Sequence, residues 1–214
     1  MPLYDSFELD KNKSFHIWEI KESYKELEKE VNLSLNDKKK LESIKSVQRK
    51  KEFLASRNLF SFAKLQNKNL KYNKDGAPEL DNGKYISITH CENFAGIAIG
   101  NNKIGFDLET YREKIFAIVP KFLNENEKFI YEFDSLVKGL TLIWTAKEAI
   151  YKAVSVKGIS LKNNIIISTF KNEQKKGFAK VYLNQKEIQF SLNFMIEKKF
   201  CGTVAYKLKN ENIY

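Results

Sequence analysis

Apolar and polar residues alternate through several short stretches of this chain, and between those stretches apolar residues recur every three or four positions. Period two predicts strands near residues 15–20, 85–89, 95–99, 103–109, 165–170, 179–183, 188–194 and 203–208, since successive strand side chains point to opposite faces. Leu41, Ile44, Val47, Phe53, Leu54, Leu59 and Phe62 keep helical spacing, so one or two amphipathic helices are expected between residues 37 and 66. Leu140, Ile143, Ala146, Ile150 and Val154 form a single stripe, which predicts a helix over about 136–154. Asp75-Gly76 and Asn82-Gly83 mark turns. An internal echo is also present: Phe94-Ala95-Gly96-Ile97-Ala98-Ile99 recurs in outline as Phe200-Cys201-Gly202-Thr203-Val204-Ala205, half a chain later.

Composition narrows the picture without choosing a function. With 214 residues, 43% of them hydrophobic, the chain can bury a substantial core as one large domain or two small ones. Nine Gly and three Pro leave no long flexible linker, and no apolar run is long enough to span a bilayer. The first ten residues are acidic and mixed rather than basic and then apolar, so no secretory signal is expected and the location should be cytoplasmic. Cys91 and Cys201 lie far apart and form no metal-type pair, which fits a reducing compartment. A net charge of +10 implies anionic partners: nucleic acid, a membrane surface, a phosphorylated cofactor or an acidic protein. The lysine runs at 38–40 and 175–176 are expected as solvated surface.

Two segments change the picture. Gly105-Phe106-Asp107-Leu108-Glu109 places two acids two residues apart in an alternating stretch, so a strand points both to one face, where like charges repel. About forty residues later comes Trp144-Thr145-Ala146-Lys147-Glu148-Ala149-Ile150-Tyr151-Lys152, in which Glu148 and Lys152 share a helix face. Carboxylates with no Cys or His cluster suit a hard, oxygen-seeking cation such as magnesium. The bland alternatives are a solvated strand face balanced by lysines and an exposed ion pair across one helical turn.

Together these segments resemble the paired signature of the Sfp-type 4'-phosphopantetheinyl transferases, a Gly-x-Asp-x-Glu strand followed by a Trp-Thr-x-Lys-Glu-Ala-x-x-Lys helix. Upstream, residues 49–57, from Arg49 to Arg57, are similar to the family's basic helix, and Ser87-Ile88-Thr89-His90 to its Ser-x-Ser-His strand end. Asn124 and Glu127 fit the start of its linking helix as an N-cap and third-residue acid. The chain departs at Ala77, where many members carry a Lys beside the coenzyme's phosphates, which leaves neighbouring Lys74 to substitute.

The resemblance implies an α+β fold built as a pseudo-dimer of two similar halves, 1–102 and 103–214, each a small antiparallel sheet with packed helices, and an active site in the cleft between them. It implies transfer of phosphopantetheine from coenzyme A, the substrate, to a serine of an acyl or peptidyl carrier protein, with Mg2+ or Mn2+. Asp107, Glu109 and Glu148 are then metal ligands, Glu148 alternatively the base, and Lys152 a neutraliser of charge on the transferred phosphate. His90, Thr89, Arg57 and Lys74 would contact the coenzyme's phosphates or adenine; Lys147 either binds phosphate or caps the apolar stripe. Phe116, Ile118, Val119, Phe122 and Leu123, rimmed by Lys114 and Lys121, would receive the carrier's acidic helix if exposed, and form core if not. A monomer without nucleic-acid or membrane partners is expected. A metal-dependent nuclease would want Glu-x-Lys on the strand, and a nucleic-acid-binding module would interleave aromatics with a basic patch, whereas most aromatics here alternate as core residues do.

Overall fold

A computed structural model describes residues 3–65, 70–73, 76–171 and 174–208. It divides into two compact units, Met1–Asn102 and Lys103–Tyr214. The first begins with a hairpin, β1 (Leu3–Asp10) and β2 (Lys13–Glu19), closed by the Asp10 carboxylate, which accepts from the Asn12 amide at 2.7 Å. Three helices follow: α1 (Tyr24–Glu30), α2 (Leu35–Ser43) and α3 (Val47–Phe62). Ser23, Ser34 and Ser46 cap them, each hydroxyl taking an otherwise orphaned backbone N–H. The helical stretch expected at 37–66 is therefore two helices, broken where Ile44 turns extended and Ser46 restarts the ladder. A short ladder, β3 (Leu70–Tyr72) with β4 (Pro78–Leu80), precedes a second hairpin, β5 (Tyr85–Cys91) and β6 (Phe94–Gly100). The sheet order is β1-β2-β6-β5, antiparallel throughout, and α3 packs on it over Trp18, Leu54, Phe60 and Ile97.

The second unit starts on β7 (Ile104–Thr110) and continues through a 3-10 segment (Glu113–Ile118), α4 (Val119–Phe122) and a second 3-10 segment (Glu125–Glu132). Asn124 and Glu127 form the expected capping box at the last of these. The helix expected at 136–154 is α5 (Leu136–Val154), capped by Ser135 and stopped at Ser155 in the left-handed region. Strands β8 (Ile165–Ile167), β9 (Lys176–Leu183), β10 (Lys186–Ile196) and β11 (Phe200–Lys207) complete an antiparallel sheet of order β7-β11-β10-β9-β8. In each unit the last strand lies between its hairpin partner and an early strand, β6 between β5 and β2, β11 between β10 and β7. The six-residue echo falls on these two equivalent strands. Among the described residues no helix is long and apolar enough to cross a membrane.

Candidate active site

Gly105 decides how the second unit brings its chemistry together. A Cβ at that position would meet the Ala149 carbonyl oxygen at 1.8 Å and the Ala153 nitrogen at 2.9 Å, so β7 and the backbone of α5 approach more closely than any side chain permits. Ala146, Ala149 and Ala153 keep that side of the helix thin, and the Thr145 and Thr203 hydroxyls, 2.9 Å apart, join α5 to β11. Trp144, Glu148 and Lys152 succeed one another at four-residue steps along α5. Opposite them, Asp107 and Glu109 follow Gly105 along one face of β7.

The two rows meet in order. Lys152 Nζ donates to Asp107 Oδ1 at 2.7 Å and to the Phe106 carbonyl at 2.9 Å, while Trp144 Nε1 donates to Glu109 Oε1 at 3.3 Å. Arg112 Nη2 lies 3.6 Å from Glu109 Oε2, and Phe122 packs edge-on against Trp144 with ring centroids 5.3 Å apart. Glu148 stands on the helix between Trp144 and Lys152. Burial, then the charge of Asp107, pushes its carboxyl up to about 7, against the pull of Lys152. Burial and Asp107 also raise Glu109, opposed by Trp144 and Arg112. The field around Glu109 and Glu148 thus favours their protonated forms unless a cation arrives. Among the described residues no three His, Cys, Asp or Glu side chains are arranged to close around an ion; what fits a hard divalent cation is the all-oxygen donor set and the mutual repulsion that raises Glu109 and Glu148.

The structure moves three expected phosphate contacts, Lys147, Arg57 and Thr89, into the core. Lys147 has no exposed surface: its ammonium donates to the Phe122, Leu161 and Ile165 carbonyls at 2.7, 3.0 and 2.8 Å and pairs with Glu127 Oε2 at 2.8 Å. All three protons serve the fold, so it cannot also hold a substrate phosphate. Glu127 in turn accepts from the Asn124 and Ile167 amides, which makes the pair a tie between the linking segment, α5 and β8. Arg57 is 1% exposed; its Nε and Nη2 both donate to Asp37 Oδ1, at 2.9 and 2.8 Å, and its plane lies over the Phe53 ring. Thr89 is buried on the opposite pleat from His90. His90 itself is exposed, at the end of β5, and the arginine beside it is Arg49, at 2.8 Å. Lys74 lies outside the described residues. In the segment assigned to carrier docking, Ile115, Phe122 and Leu123 are core, and only Phe116, 45% exposed, stands out as a large exposed hydrophobic.

Spacing along the chain does not single out Arg112, or Trp144 as Glu109's donor, although position 144 is one helical turn before Glu148. The family resemblance points to Arg57 rather than Arg49, and nothing in the spacing ties α3 to the end of β5.

Residues 103–205, a span that includes β7, α5 and most of β11, match the family model of the 4'-phosphopantetheinyl transferase superfamily. The chain is similar to the 4'-phosphopantetheinyl transferase gsp of Aneurinibacillus migulanus, 29% identical over 118 residues, which cover 53% of this chain and 49% of that protein. It is 33% identical over 82 residues to the enterobactin synthase component D of Salmonella typhi, covering 36% and 35% respectively. The chain thus spans half or less of the length of the curated relatives it matches.

Proposed function

We propose that this protein transfers the 4'-phosphopantetheine arm of coenzyme A onto a serine hydroxyl of an acyl or peptidyl carrier protein, releasing adenosine 3',5'-bisphosphate, as an enzyme of the Sfp type acting in the cytoplasm. The observation that carries the reading is the meeting of Asp107 and Glu109 on β7 with Glu148 and Lys152 on α5, inside the segment that matches the superfamily. The common placing of the last strand, between its hairpin partner and an early strand, supports two related halves.

In the reaction the serine oxygen bonds to the phosphorus that bears the pantetheine arm, and the bond from that phosphorus to the bridging oxygen breaks, leaving the electron pair on the bisphosphate. Glu148 takes the serine proton. Lys152, fixed by Asp107 and the Phe106 carbonyl, supplies a positive charge without reorganisation as charge builds on the pyrophosphate oxygens. Asp107, Glu109 and Glu148 would hold a magnesium ion, whose part is to neutralise the pyrophosphate and orient it. Most of the acceleration then comes from positioning and fixed charge.

The test is incubation with coenzyme A, magnesium and a panel of apo carrier proteins, read by intact-protein mass. Addition of one phosphopantetheine to a carrier is expected, and Asp107→Ala and Glu148→Ala should each abolish it while keeping the native circular dichroism. Absence of transfer to every carrier, or near wild-type turnover in either variant at limiting magnesium, would overturn the assignment.

A further inference from the structure

With Arg57 committed to Asp37, the exposed partner of His90 is Arg49, and a buried acid organises both. Arg49 Nη1 and His90 Nδ1 approach a single oxygen, Glu52 Oε2, at 3.1 and 3.2 Å, and lie 2.8 Å from each other. Glu52 is 3% exposed, while the Arg49 and His90 side chains are 59% and 41% exposed. Gln48 donates to Glu52 Oε1 at 3.3 Å and also reaches the Glu92 carbonyl, which ties the start of α3 to the β5–β6 turn. Gln48, Arg49 and Glu52 share a side of α3 through their three- and four-residue spacing.

A carboxylate withdrawn from water costs several kcal/mol unless its lone pairs are met. Here Gln48 meets Oε1 and Arg49, which itself reaches solvent beside His90, meets Oε2, an unusual choice if the cluster served packing alone. A guanidinium only donates, so the ring nitrogen that Arg49 reaches, His90 Nδ1, accepts and the ring hydrogen lies on Nε2. The imidazole held in this way serves an outside anion through Nε2, and the planar fork of Arg49 has further N–H donors for the same anion.

We infer that Glu52 is a positioning residue: it docks Arg49, which holds the His90 ring by Nδ1, so that the two form one clamp for a phosphate group of the coenzyme. The inference rests on the proposed function, in which His90 contacts those phosphates. Glu52 does not touch the ligand.

The experiment is calorimetric titration with adenosine 3',5'-bisphosphate at low salt, without carrier, of the wild type, Glu52→Gln, Arg49→Ala/His90→Ala, and the triple variant, each checked by circular dichroism. Glu52→Gln should weaken binding roughly tenfold or more, as expected for lost charge-assisted hydrogen bonds. In the Arg49→Ala/His90→Ala background the same substitution should cost no further affinity, because it acts only through those side chains. Equal losses in both backgrounds, wild-type affinity in Glu52→Gln, or a wild type that binds no bisphosphate would overturn the inference. Should Glu52→Gln not fold, Arg49→Ala decides instead, since Gln48 and His90 remain beside Glu52: a loss of about tenfold is expected, and unchanged affinity overturns the clamp. Coupled bisphosphate binding in a protein that modifies no carrier would sink the transferase and leave the clamp, whereas transfer with additive losses would sink the clamp alone.

Discussion

Glu148 and Lys147, adjacent in sequence, are carried by α5 to opposite fates. The Glu148 carboxyl is raised in the folded protein from 4.5 to about 7. A raised value means that the fold binds this proton more tightly than the unfolded chain does, so the contribution is fully present below about 4.5 and is lost as pH rises through about 7. Glu148→Gln should therefore leave the thermal midpoint nearly unchanged at pH 4.5 and raise it at pH 8 in the absence of metal. The gain should be on the order of 2 kcal/mol after allowance for solvent screening, or a few degrees. Calorimetric scans at the two pH values check this; an equal shift at both would mean that charge is not the cause. By the same competition, magnesium affinity should fall as pH drops below 7. Lys147→Met strands a fully buried Glu127 and should cost about 3–5 kcal/mol, read by denaturant titration. If Lys147 held substrate instead, stability would stay and the Michaelis constant for coenzyme A would rise.

At the scale of elements, α5 against β7 is the decisive packing. Gly105→Ala inserts a methyl group where a backbone carbonyl already lies, and neither partner can yield as a flexible side chain would. We expect a loss of about 3 kcal/mol or more and transfer reduced well beyond that, since Asp107 and Lys152 would separate. Thermal melts with activity at a permissive temperature test it; wild-type stability would mean that α5 does not seat on this glycine. The segment after β7 separates in the same manner. Phe122 is fully buried against Trp144, so Phe122→Glu should unfold the second unit and says nothing about docking. Phe116 is exposed, and Phe116→Glu should leave circular dichroism intact while raising the Michaelis constant for the carrier far more than that for coenzyme A. Unchanged constants would place the carrier elsewhere.

Across the whole molecule, a net charge of +10 predicts that coenzyme A affinity weakens as salt rises from about 0.05 to 0.5 M, a range in which the screening length falls well below the size of the protein. Calorimetry measures it, and salt-independent affinity would remove exposed cations from the phosphate contacts. The pairing of Asp107 with Glu109 and of Glu148 with Lys152 is legible in the sequence, because facing along a strand or a helix follows from spacing alone. The limits of α5 and the box at Asn124 are legible for the same local reason. Neither β1 nor α1 carries such a signature: most of β1 is exposed, and α1 buries only Leu27. What spacing cannot supply is depth and partner. Lys147 and Arg57 read as cations beside a motif, and only the packed structure sets them against Glu127 and Asp37, twenty residues away in each case, inside the protein. Arg49 meets His90 across 41 residues in the same way. The sequence by itself determined which residue types share a face. The tertiary structure alone decided which charges stay in water, because burial depends on elements brought together from distant parts of the chain.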